Sequence, residues 1–519
     1  MKKLHIYSLL ILCVAYLAIA FQRFNFPDLD HGDEFTDANV LDAGNNFINF
    51  GFINSRFLPI FEPHLDRPRG AYTHAPPLSE NFNGILRVLF RVDSLCFFRS
   101  VSLVFSLLNI LFWYLFIKGF SKSYIIGFFA AIFYLSNPFF IHGMDSLHES
   151  CYSEFLRSLI FFLYLIMIQS TRKRRQWVII ILSLLVVLES LATFEYIIYL
   201  SLFFILFRFI CKDSEVKISK KEIFILLAGV VISFSLHFLQ NAWYFGNFQF
   251  AFNDLMSVAI KRISQSDDAP AINLIIWWRY VILRNFSLIF LFNYAALFLA
   301  GFFSYLMYRV LSPEAKGRIK PLIRLFIIFV ICGISWYMFF PSHSWAHTFV
   351  LFLTRHLLPA AALGFTIFVL ILFNFVIEYK LNNAFSKVIL LLIVVSIAYT
   401  GIMQSELPVT TEKIKGASEF VKFKQCLLHL KGISQPKDRV GVNYFRFPFI
   451  RYYTNRSCQS VFDKAALETF PELPRYFIFI PYNNEVAGVL FQFLKTKYTL
   501  LFQCNSARFP AFFFELKNS

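Results

Sequence analysis

The sequence is poor in charge. Only 16% of its 519 residues are Asp, Glu, Lys or Arg, where soluble domains carry about 25%. That shortage, beside 57% hydrophobic and 19% aromatic residues, excludes an ordinary soluble chain and indicates a polytopic membrane protein. Patterned cysteine is missing too. The eight Cys residues show no C-x-x-C and no metal-type spacing. Cys13, Cys211 and Cys332 sit in or beside apolar runs as small packing residues. Cys426, Cys458 and Cys504 lie in the polar C-terminal region, which leaves room for one disulfide without assigning it. No internal repeat is evident in the membrane part, which argues against a transporter built from repeated halves. The formal net charge of +17 does not argue for nucleic acid, because the basic residues fall in short clusters between apolar runs.

Those runs are what the chain has in abundance. A helical span needs about 20 apolar residues, and runs of that kind occur near 4–21, 100–117, 124–141, 151–170, 177–193, 196–211, 222–239, 286–308, 325–340, 358–378 and 388–404. The expected fold is therefore an all-α membrane part, 1–404, of about eleven transmembrane helices. Ala18-Ile19-Ala20 mimics a signal-peptidase site, but the run continues to Phe21, which favours a retained first span. Lys and Arg gather at every second connection: Lys2 and Lys3, then Lys118 and Lys122, then 172–175, 208–221, 309–324 and 380–387. Alternation of this kind marks cytoplasmic loops. The opposite side then receives 22–99, 142–150, the corner at Glu195, 240–285, 341–357 and the tail. Helical stretches near 412–431 and 485–497 alternate there with strand-like runs at 439–444, 458–462, 476–482, 498–504 and 510–516, so 405–519 is expected to be a small α/β domain outside the membrane.

The outer segment 22–99 is too elaborate for a connection. It concentrates Asp28, Asp30, His31, Asp33, Glu34, Asp37 and Asp42, then a His-x-Pro-Pro turn at His74, Pro76 and Pro77. Apolar residues from Glu34 to Asn49 fit a short amphipathic helix in the interface. Ser79 is expected to cap a second one, with Arg87, Arg91 and Arg99 facing headgroups. A carboxylate held beside apolar surface can act as a general base, which marks Asp33 and Glu34; a solvated helix N-terminus is the plain alternative. Asp145, His148 and Glu149 form a second acidic group, with 145 and 149 expected one helical turn apart. Two carboxylates with a His resemble a metal site, and helix capping is the plain alternative. Cationic candidates are His74 and the Arg355-His356 pair. An Arg on the outer side runs against the charge rule, which raises the case for a phosphate partner. Glu189, Glu195 and His237 are the ionisable residues expected at membrane depth.

These features resemble the GT-C fold glycosyltransferases, polytopic enzymes that take sugars from polyprenyl-phosphate carriers, among them lipid A aminoarabinose transferases and protein O-mannosyltransferases. The match rests on Asp33-Glu34 in a long first outer loop, His74-x-Pro76-Pro77-Leu78 where relatives often show K-P-P, and Asp145 in the next outer loop. It also rests on Arg355-His356-Leu-Leu-Pro359, similar to a late R-Y-L-L-P. His74 and His356 depart from the pattern, replacing Lys and Tyr. The resemblance implies inverting transfer to a lipid, glycan or protein acceptor on the extracytoplasmic face of a bacterial inner membrane. Asp33 or Glu34 would be the base, and Asp145 would orient sugar or acceptor. Arg355, His356 and His74, with His148 and Glu149, would bind the substrate or its lipid phosphate. Such a donor carries one phosphate and no nucleotide, so no cofactor is expected, although a divalent metal stays open. A lipid-linked glycan ligase or polymerase, or a multi-span transporter, is the alternative.

Overall fold

The computed structural model describes every residue except 1, 25–33, 63–69, 211–217, 264–273, 292–293, 347–354, 380–383, 406, 408–410, 445–446, 482–484 and 518–519. The chain divides into two compact units. One comprises Met1–Phe21, Thr73–Leu78 and Arg99–Leu407, the other Gln22–Tyr72, Ser79–Phe98 and Pro408–Ser519.

The first unit is helical, and its helices follow the apolar runs. Among the described residues seven helices are long and apolar enough to cross a membrane. Helix is the form that satisfies every backbone group in lipid without help from water. Shorter apolar helices account for further runs, and two expected spans are interrupted. The run 124–141 forms Tyr124–Leu135, after which the Asn137 side chain accepts from the Phe139 amide at 3.1 Å and Pro138 opens a new short helix. The run 286–308 divides into Arg284–Ile289 and Tyr294–Val310, with Leu291 left-handed at φ 58° between them, a conformation no α-helix can continue through. The segment read as a loop at 240–285 contains the helix Phe248–Ile263.

Contacts between helix ends fix which ends lie together in this unit. His5, near the start of Lys2–Phe24, stacks on Tyr114 and meets Lys118 near the end of Leu95–Ser121. Arg175 and Glu222 form an ion pair between the starts of Arg172–Ala192 and Lys220–Phe245. Ser312 donates to Glu378 at 2.5 Å, joining the start of Pro313–Phe339 to the end of Leu358–Glu378. The last of these helices has 21 residues, so Glu378 is about 30 Å from its first turn. Basic clusters at 118, 172–175, 220–221 and 316–320 accompany these ends.

The second unit holds the helices Glu34–Phe50 and Leu78–Phe90 together with the tail. The amphipathic helix expected from Glu34 is present. Ser79 does not cap its partner: the helix begins at Leu78, directly after the two prolines, and the Ser79 hydroxyl donates to Glu80 at 2.8 Å. Gly84 and Phe47 pack closely, since a Cβ on Gly84 would lie 2.7 Å from Phe47 Cδ2. In the tail, β1 (Arg439–Val442), β2 (Ser457–Ser460), β3 (Tyr476–Phe479), β4 (Tyr498–Asn505) and β5 (Pro510–Leu516) form a mixed sheet of order β2-β1-β3-β5-β4. β1 is parallel to β2 and β3, and β5 is antiparallel to β3 and β4. Leu490 and Leu494 of Glu485–Lys497 pack with Phe477, Phe479 and Phe514. The described tail cysteines Cys426, Cys458 and Cys504 are free thiols.

Candidate functional site

A buried polar cluster of the first unit lies where four helix termini meet. It draws on the early turns of Glu149–Gln169, Glu195–Ile210 and Leu358–Glu378 and the last turn of Pro313–Phe339. These termini are opposite to the ends joined at Arg175–Glu222 and Ser312–Glu378. Arg355 and His356 belong to a tight 3-10 turn that leads into Leu358. Gly333 lets that turn approach: a Cβ there would lie 2.9 Å from the His356 carbonyl and 2.6 Å from Leu357 Cδ2.

Arg355 is 1% exposed. Its Nε donates to the Tyr196 hydroxyl at 3.1 Å and lies 4.0 Å from Glu154 Oε1. Glu154 accepts from the Asn109 amide at 3.3 Å, and Ser158 donates to the Asn109 carbonyl at 2.5 Å. Arg157 completes the group. Its guanidinium carbon sits 4.5 Å from the centroid of the Tyr196 ring and 5.2 Å from that of Tyr199, a cation–π arrangement favoured in a desolvated site. Among the described residues none of its three nitrogens has a hydrogen-bond partner. The ring of His356 stacks between Tyr196 at 4.6 Å and Trp336 at 5.1 Å, with Nε2 3.5 Å from Glu195 Oε2. Arg355 and Arg157 both act electrostatically on the Glu154 carboxylate, and all three side chains are buried. A buried charge is costly unless matched, and an anion with several acceptor oxygens is a ligand that could use the Arg157 donors.

The remaining expected residues are distributed differently. Asp33, with Asp30 and His31, lies outside the described residues, as do the side chains of Glu34 and Glu149. Asp28 and Asp30, in D-x-D spacing, lie there as well. Asp145 is buried and ion-paired to Arg99 at 3.2 Å. It does not share a helical turn with Glu149, because the helix begins at Glu149 with His148 as its N-cap residue, and 145–147 form a turn before it. Arg99 and Arg87 do not face headgroups; they are 3% and 2% exposed. Each has a carboxylate partner, Asp145 and Asp93 respectively, which a buried guanidinium requires. His74 is half-exposed, with Nε2 3.4 Å from Asp254. Glu189, Glu195 and His237 are buried. Among the described residues no group of three or more His, Cys, Asp or Glu side chains could hold a metal ion. Sequence reading missed Glu154 and Arg157 because they interrupt an apolar run. Their signal was the spacing 154, 157, 158, which puts three polar residues on one helix face.

No family model and no curated protein matches the chain. Solved structures do. The apo oligosaccharyltransferase of Archaeoglobus fulgidus is similar with a TM-score of 0.55 at 13% identity, over 92% of this chain and 70% of that one. The same organism's AglB, an archaeal oligosaccharyltransferase in complex with an inhibitory peptide and a dolichol-phosphate, gives 0.54 at 13% identity over 92% and 69%. ArnT from Cupriavidus metallidurans, bound to undecaprenyl phosphate, aligns over 97% of both chains with 12% identity, but its TM-score of 0.48 is too low to argue from. At these identities the likeness is one of fold, and that fold is the GT-C fold of polytopic membrane glycosyltransferases.

Proposed function

We propose that the protein is a membrane glycosyltransferase that moves a sugar from a polyprenyl-phosphate carrier to a lipid, glycan or protein acceptor on the extracytoplasmic face. The observation that carries this reading is the Arg355–Glu154–Arg157 cluster, two buried guanidinium groups beside one carboxylate, which is chemistry suited to a lipid phosphate. The fold supports it, because AglB has that fold and its structure contains a dolichol-phosphate. Arg355, with Arg157 beside it, would neutralise the phosphate as the glycosidic bond breaks. Electrostatic stabilisation of that kind is usually a large term in catalysis. Asp33 by preference, with Glu34 next, would take the proton from the acceptor hydroxyl as its oxygen attacks the anomeric carbon. The configuration would invert. Asp145 would act by positioning, held by Arg99.

A lipid-linked glycan ligase is the second reading, favoured by the oligosaccharyltransferase identity of AglB. The two differ in whether one sugar or a preassembled chain leaves the carrier. Mass spectrometry of polyprenyl-phosphate glycans and envelope glycans, with and without the protein, decides between them. Accumulation of a monosaccharide-loaded carrier supports the first, and of an oligosaccharide-loaded carrier the second. Asp33→Asn should abolish transfer while protein abundance in the membrane is kept. Normal transfer in both Asp33→Asn and Glu34→Gln would sink the mechanism.

A further inference from the structure

In the tail the helix Thr411–Ile433 packs along the end of β4, and the contacts between them come in reverse chain order. The Ser506 hydroxyl donates to the Glu419 carbonyl at 2.9 Å and the Cys504 thiol to the Lys422 carbonyl at 3.9 Å, while the Phe502 ring meets that of His429 at 4.9 Å. Positions 419, 422, 426 and 429 follow the spacing of one helix face, and 502, 504 and 506 that of one strand face. Cys426 is therefore bracketed on its helix by the residues that touch Cys504 and Phe502. The backbone tightens this placement. In a helix the Lys422 carbonyl accepts the amide of residue 426, so the atom that receives the Cys504 thiol is also bonded to the Cys426 backbone. Cys426 is half-buried, Cys504 is buried, and both are free thiols.

We propose that Cys426 and Cys504 are a disulfide-forming pair, which cross-links the helix Thr411–Ile433 to β4 when the tail meets a small-molecule or protein disulfide. The half-buried Cys426, as a thiolate, attacks one sulfur of that oxidant and expels the other, leaving a mixed disulfide. Cys504, once deprotonated, attacks the Cys426 sulfur and expels the second thiolate. The pair gives up two electrons, which reduce the oxidant's disulfide, and its two protons end on the two thiols released. Burial, and then the hydrogen-bonded Cys426 thiol, push the Cys504 thiol up to about 12. A thiol of that kind leaves slowly, which favours a lasting cross-link over a transient one. The bond closes a loop that contains β1, β2 and β3, a constraint on the unfolded chain. The site goes beyond the glycosyltransferase reading; only the supply of oxidant depends on the outer placement of the tail.

The test is peptide mapping of the full chain, purified in detergent under reducing conditions, freed of reductant and exposed to oxidised glutathione. Remaining thiols are alkylated before digestion with trypsin. The expected product is a covalent pair of the peptides 425–431 and 498–508, lighter than their sum by two hydrogen atoms and separated by reductant. Cys426→Ser should abolish that product, and Cys13→Ser should leave it intact. Recovery of Cys426 and Cys504 as separately alkylated or glutathionylated peptides overturns the inference, as does a bond from either one to Cys458. A cross-link that forms in the purified protein but is absent from protein alkylated in intact cells keeps the site and counts against the outer placement of the tail, so the two fail separately.

Discussion

At the scale of single residues the question is what each buried charge is for. Arg99 and Asp145 are both 3% exposed at the side chain and lie 3.2 Å apart. Removing one partner of such a pair costs about 3–5 kcal/mol, because the other charge is stranded, while replacing both by apolar groups is often neutral. Asp145→Asn should therefore lower the amount of folded protein, and Arg99→Met/Asp145→Leu should restore it, read by detergent-extracted yield and thermal stability. Transfer activity lost in the restored double variant would then assign Asp145 a positioning role as well. Asp42 gives a pH prediction. Burial pushes its carboxyl up to about 6, against the pull of Arg451 at 2.7 Å. A raised carboxyl pKa means that stability is fully present below the unfolded value near 4 and is lost as pH rises through 6. The difference is worth about 3 kcal/mol. Amide exchange in Phe447–Thr454, corrected for intrinsic rates, should show more protection at pH 4 than at pH 7.5, and Asp42→Asn should flatten that slope. Arg355 drew notice in the sequence because the charge alternation predicts it on the outer side, against the usual trend. Arg157 did not, because one charge within an apolar run carries no partner in sequence.

At the scale of elements, most of the fold was legible. Long apolar runs can satisfy their backbone only as helices, and the tail strands fell where β-branched and aromatic residues cluster between turn residues. The failures have local causes. Leu291 at φ 58° has no compositional signal, so the break in 286–308 was invisible. The helix Phe447–Thr454 is short and carries Arg451, whose partner lies 409 positions away. Close approach is likewise read only from coordinates. Gly333 admits the His356 carbonyl at 2.9 Å from where a Cβ would stand. Because that atom is backbone, Gly333→Ala must displace the turn bearing Arg355. A misplacement of about 1 Å can cost on the order of 100-fold in rate, and the expected outcome is that loss in turnover, with thermal stability lowered by about 1–3 kcal/mol. Gly84→Ala meets a side chain instead and should lower stability by a similar amount without a specific effect on turnover.

For the whole molecule, the charge alternation along the sequence and the helix-end contacts agree on which ends lie together. That agreement yields a sidedness prediction. Single cysteines at Lys173 and Lys316 should react with an impermeant maleimide only after the membrane is permeabilised, and cysteines at Lys437 and Lys464 should react in intact cells. Labelling of all four in intact cells would contradict the proposed orientation.

The pairing of Arg451 with Asp42 also has a consequence in time. The two are 409 residues apart, and synthesis proceeds at about 5–20 residues per second. For roughly 20 to 80 seconds after Asp42 is made, the arginine that will neutralise it has not been translated. The helix Glu34–Phe50 must wait in water or with a helper, its carboxylate ionised and solvated, until the tail arrives. Stopping the chain after the last membrane helix would thus do more than delete a domain: it would leave the first outer segment permanently in the state of a nascent chain.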